Sequence, residues 1–198
     1  LIIVKKWKLA ILSGRFKICM FTKGILILLN NSLKWDIRYL ELAKHIAQWS
    51  KDPSRKIGAV AVGEHGEVLA QGYNGFPRGI KDSPGRYQDR PTKYKLVVHA
   101  EMNVIYNSSM NGVSLYGSTL YVYGLPVCSD CAKGIIQAGI SSVVMQDQVI
   151  PDDWKNSAAL TFDMFTEAGV DYTFIEMEEE ELRKNVVKLV PHPEEPKE

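Results

Sequence analysis

The 198 residues carry 24 Lys and Arg against 23 Asp and Glu, a net charge of +1, with 45% apolar and 24% charged side chains. That balance excludes a nucleic-acid binder working by bulk positive charge, and a single domain of this length buries about 70% of the surface its unfolded chain exposes. Three cysteines, Cys19, Cys128 and Cys131, are too few for a disulfide framework, so a reducing, cytoplasmic setting is expected.

The first 35 residues hold seven basic side chains and no acidic one, leaving 17 basic against 23 acidic for the rest. Residues 1–30 are short apolar runs broken by Lys and Arg, with neither the roughly 20 apolar residues of a membrane span nor a secretory signal's cleavage pattern. They are expected to be an extension that does not cross a membrane: an added structural element or sequence upstream of the natural start, ahead of an amphipathic segment lying on a membrane surface. From Trp35, the positions Ile37, Leu40, Ala43, Ile46 and Ala47 recur at helical spacing and predict a helix ending near Pro53. Residues 57–62 and 67–74 predict a hairpin across Gly63-Glu64-His65-Gly66. Residues 75–95, rich in Gly, Pro and charge, predict a long loop.

Beyond the loop, helix is expected over His99–Ser109, strand over 118–124, helix over 129–138, strand over 141–146, helix over 156–168 and strand over 170–176. Gly139 and Gly169 close the last two helices. This α/β order predicts a sheet covered by helices on both faces. The expected organisation is an extension over 1–30, a domain over 31–178 and an acidic tail over 179–198, whose Glu-rich composition cannot build a core.

Two stretches carry chemistry: His99-Ala100-Glu101 and Pro126-Val127-Cys128-Ser129-Asp130-Cys131. Both fall where a helix is predicted to begin, and a helix N-terminus favours a thiolate. Cys128 and Cys131 are three apart, so both sulfurs reach one ion, and a His with two Cys is a zinc donor set. Cys19, His45, His65 and His192 offer no convincing fourth ligand, and a three-ligand site leaves a position for water. Glu101 follows the proposed ligand by two and points elsewhere, which suits a proton shuttle beside the metal. His-x-Glu followed by Pro-Cys-x-x-Cys is the signature of zinc nucleobase deaminases.

With Lys51-Asp52-Pro53-Ser54, Gly72-Tyr73-Asn74-Gly75-Phe76-Pro77-Arg78-Gly79 and Val98-His99-Ala100-Glu101-Met102-Asn103, about 140 residues resemble the deoxycytidylate (dCMP) deaminase family of the cytidine deaminase superfamily. The resemblance implies a three-layer α/β/α sandwich with a mixed central sheet of about five strands. It implies hydrolysis of dCMP to dUMP and ammonia, with one zinc ion per chain on His99, Cys128 and Cys131 and Glu101 as general acid and base. It also places the substrate at Asn74, Ala100, Lys51, Ser54 and Arg55, and implies a homo-oligomer acting on a small nucleotide, with no nucleic acid or membrane partner. Further cations for a phosphate stand at Lys56, Arg78, Lys81, Arg86 and Arg90. The alternatives are a deaminase of another base or nucleotide, a structural zinc module and a redox Cys-x-x-Cys protein. One departure stands out: Val127 separates the proline from the first cysteine and lengthens the segment expected to border the base.

Overall fold

The computed structural model describes residues 23–177; residues 1–22 and 178–198, with Cys19, His192 and most of the expected extension and tail, lie outside them. Helix α1 (Lys23–Ala47) begins twelve residues before the expected start at Trp35. Nothing from Gly24 to Asn31 breaks a helix, and Leu is among the good helix formers. The chain turns after Ala47 and reaches Pro53, whose fixed ring ends helical continuation.

Strands β1 (Gly58–Val62) and β2 (Val68–Tyr73) form the expected hairpin, with Gly66 at a positive φ of 87° in its turn. β3 (Thr119–Tyr123) joins the other side of β1 antiparallel, and β4 (Ser142–Gln146) and β5 (Asp171–Ile175) follow in parallel. The sheet is therefore mixed and five-stranded, in the order β2-β1-β3-β4-β5. Parallel neighbours need crossovers, supplied by α5 (Ser129–Gln137) and α6 (Asp152–Ala168). α6 starts four residues before the expected Asn156, with Asp152 and Asp153 in a first turn whose exposed N–H groups favour negative charge.

Alternation along the strands divides the core. Val60, Val62, Tyr121 and Val144 meet Leu40, Ala43 and Ile46 of α1. Ala59, Ala61, Leu120, Val122, Val143 and Met145 face the other way, onto Ala100 and Val104 of α4 (Ala100–Met110), Ile135 of α5 and Phe165 of α6. Helices thus cover both faces, giving the expected three layers.

The expected long loop over 75–95 is corrected: it contains α2 (Pro84–Gln88) and α3 (Arg90–Leu96), each with a proline in its first turn. Proline at a helix start is pre-set for the turn and loses no hydrogen bond, so the residues that read as breakers are initiators.

β1 lies so close to α1 that a Cβ on Gly58 would overlap the Ala43 carbonyl and stand 2.6 Å from the Ala47 nitrogen. Both are helix backbone, which cannot swing aside. Gly58→Ala is expected to destabilise by about 1–3 kcal/mol, the usual range for overpacking, and to lower Tm by roughly 3–10 °C in thermal unfolding followed by circular dichroism.

Candidate active site and metal centre

Two helix starts face one another at the site. An isolated antiparallel bridge pairs Gly75 with Val98, the two nitrogens donating to the opposite carbonyls at 3.1 and 2.8 Å, and so brings the end of β2 beside the residue before His99. His99 is the N-cap of α4 and Cys128 the N-cap of α5, whose sulfur accepts from the Cys131 backbone N–H. His99 Nδ1 lies 3.3 Å from Cys128 Sγ and 3.4 Å from Cys131 Sγ. Among the described residues these three side chains are the group that could hold a metal ion, their donor atoms all within 4.8 Å of one another.

The geometry of this set suits zinc. Donors about 2.1 and 2.3 Å from a tetrahedral ion stand roughly 3.6 Å apart, close to the spacings observed. The hydrogen bond from Cys131, with help from His99, holds the Cys128 thiol down at about 4. The hydrogen bond with Cys128 raises His99 to about 9, against its burial. Cys131 is pushed well above the ordinary thiol range, first by its hydrogen bond with Cys128 and then by burial. The protein groups alone therefore support one thiolate beside a protonated His99 and leave the second thiol protonated; a divalent cation would displace the protons of His99 and Cys131 so that all three could coordinate.

Glu101 sits in the first turn of α4 at 3% exposure, outside the donor group. Burial pushes its carboxyl up to about 7, partly offset by His99. A carboxyl near neutrality both accepts and releases a proton at physiological pH. Ala100 is fully buried at the start of the same helix.

The remaining expected substrate contacts are spread wider. Asn74 is buried just past β2, its Oδ1 accepting from Ile57 N–H at 2.8 Å and its Nδ2 donating to the Arg55 carbonyl at 3.0 Å. Arg55 and Lys56 line a crevice of about 210 Å³ with Tyr123, Leu125, Gln146 and Gln148, which places them at the segment leading to Cys128. Lys51 is exposed and pairs with Asp82 at 2.8 Å. Ser54 Oγ accepts from Lys93 Nζ at 3.2 Å. Of the other candidate cations, Arg78 donates to Asn107, Arg86 to the Lys81 carbonyl and Arg90 to Tyr94. Val127 is fully buried among the core residues around Cys128, Cys131 and Ala100, so its side chain turns away from solvent.

Two groups of residues near the site escape sequence reasoning. Asp52 is buried and accepts from Ser54 N–H, Arg55 N–H and, at 2.7 Å, from the equally buried Lys93 Nζ. Asp52 stands in a recognisable motif, but Lys93, 41 residues away, has no local signal. Trp154 and Ser157, on the first turns of α6, hydrogen-bond to the metal-bearing segment and have none either.

The family model for the cytidine and deoxycytidylate deaminase zinc-binding region matches residues 33–147. An uncharacterized deaminase in the luxG 3' region of Aliivibrio fischeri is 35% identical over 147 residues, covering 73% of this chain and 96% of its own. The deoxycytidylate deaminase of Homo sapiens is 39% identical over 146 residues, 71% of this chain and 79% of that one. Among solved structures, the dCMP deaminase of cyanophage S-TIM5 in apo form aligns at 27% identity with a TM-score of 0.55, over 71% of this chain and 96% of that one. With the matched zinc-binding region and the His/Cys/Cys donor set falling on the same residues, the chain belongs to the deoxycytidylate deaminase family of the cytidine deaminase superfamily.

Proposed function

We propose that this chain hydrolyses dCMP to dUMP and ammonia. The observation that carries the reading is the buried Glu101 carboxyl, which lies outside the His99, Cys128 and Cys131 donor group yet interacts with all three. Zinc held by those three residues supplies a Lewis acid that brings water ionisation toward about pH 7. Glu101 does the proton work. Its carboxylate takes a proton from the attacking water and delivers it to N3 of the pyrimidine while the water oxygen bonds to C4. The second proton from that oxygen passes through the same carboxyl to the exocyclic nitrogen, the C4–N bond breaks, and ammonia leaves. Burial holds this carboxyl above the ordinary carboxylate range, which favours its taking up the proton that it then delivers.

Support for a monophosphate is local rather than global. Arg55 and Lys56 line the crevice beside Leu125, and Asn74 fixes the backbone that carries Arg55. Residues with strong phosphate geometry need only converge in small number, so an acidic body is no obstacle. No helix among the described residues is long and apolar enough to cross a membrane.

The test is ammonia release by zinc-loaded protein from dCMP, CMP and deoxycytidine. About 3 kcal/mol of charge-assisted contact to a phosphate corresponds to roughly 100-fold in kcat/KM for dCMP over deoxycytidine. Equal rates on the two would remove the phosphate claim, and no release from any of them would remove the reaction.

A further inference from the structure

The start of α6 lies across both metal-bearing helix starts. Trp154 Nε1–H donates to the Pro126 carbonyl at 2.9 Å, and its ring lies 6.1 Å from the His99 imidazole, centre to centre. One turn on, Ser157 Oγ accepts the Ser129 backbone N–H at 2.9 Å, with the two hydroxyls 3.2 Å apart. Residues on either side of Val127-Cys128, and His99 itself, are thus met from a single helix turn.

Each contact answers a need created by the sequence. The Pro126 carbonyl lies between the end of β3 and the start of α5, where neither a sheet ladder nor a helix takes it, and an unpaired backbone group there is costly. Ser129 N–H is one of the N–H groups that the first turn of α5 leaves without a helical partner. The segment is one residue longer than Pro-Cys-x-x-Cys, and an added residue either bulges outward or turns inward. Val127 turns inward, fully buried, and the carbonyl just before it is the one that Trp154 holds.

Building on the zinc deaminase reading above, we propose that Trp154 and Ser157 are positioning residues: they fix the lengthened Pro126–Cys131 turn so that both sulfurs face His99. Groups one step removed from a metal, acting through its ligands, typically contribute 10- to 100-fold in metal affinity or activity.

The experiment uses the full zinc-loaded chain, Trp154→Phe, which keeps a ring beside His99 but loses the N–H, and Ser157→Ala. Three quantities are measured: the rate at which a chelator removes zinc, the visible spectrum of the cobalt(II)-substituted protein, and kcat and KM on dCMP. Trp154→Phe is expected to lose zinc about tenfold faster, to shift the cobalt bands and to lower kcat about tenfold with KM within about twofold; Ser157→Ala moves the same way by less. Parent-like cobalt spectra and zinc release in both variants would overturn the proposal, as would a loss of thermal stability alone. If Trp154→Phe does not fold, Ser157→Ala decides by the same criteria. A parent chain that takes up no zinc would instead defeat the metal-centre reading on which this one stands.

Discussion

Glu101→Gln is expected to lower kcat on dCMP by about 10⁴-fold while leaving one zinc ion bound per chain. General acid–base catalysis contributes about 10²–10⁴-fold for a positioned group, and Glu101 is asked to move two protons, at N3 and at the departing amine, so the loss falls at the top of that range. Glutamine keeps the shape and can still hydrogen-bond, so what it removes is the capacity to carry a proton. Zinc content is insulated because the carboxyl lies outside the His99, Cys128 and Cys131 donor group. Stability is insulated too: a carboxyl buried at 3% exposure disfavours its own charge, and a neutral amide is easier to keep there. Metal analysis, thermal unfolding and ammonia release on one preparation separate the outcomes. A rate near the parent's would end the assignment of Glu101, and loss of zinc with loss of rate would make it a ligand rather than a shuttle.

The parts of this molecule legible in the sequence are those whose cause is local. Strands β1, β3 and β4 are readable because alternate residues meet different helical layers, Val60 and Val62 against α1 and Ala59 and Ala61 against α4. The donor set is readable because its chemistry depends on spacing within one helical turn, where three residues bring Cys128 and Cys131 to one face. What stayed hidden depends on distant partners. Asp52 and Lys93 are 41 residues apart and neutralise one another in the interior; neither residue alone predicts that pairing. Trp154 and Pro126 are 28 apart, and nothing in the short stretch around Trp154 says that its N–H will reach a carbonyl across the site. The segment over 75–95 differs for another reason: its Gly, Pro and charge content reads as loop, although a proline in a first turn begins a helix. The start of α1 is hidden because amphipathic periodicity begins at Trp35, whereas a helix already nucleated there extends back through the good helix formers Leu26, Leu28 and Leu29 without that pattern.

Cys131→Ser is expected to abolish stable zinc binding, and with it both turnover and the response of the fold to metal. The serine hydroxyl keeps its proton where a thiol can lose it, so one of three protein donors disappears and the remaining two, His99 and Cys128, no longer define a site. The substitution also sits at 1% exposure in the core beside Ala132 and Ile135, so some stability is lost for reasons unrelated to metal. Thermal unfolding with and without a chelator separates the two contributions. A ligand held at 1,000 times its dissociation constant stabilises the native state by about 4 kcal/mol, which for a domain of this size is roughly 8–16 °C in Tm. The parent should lose about that much when zinc is stripped and recover it when zinc is restored. Cys131→Ser should unfold at one temperature in either buffer, because packing damage persists in both while the metal-dependent part is already gone. A variant that still gains several degrees from added zinc would show that Cys131 is dispensable to the site, and the donor set would have to be drawn again around a different residue.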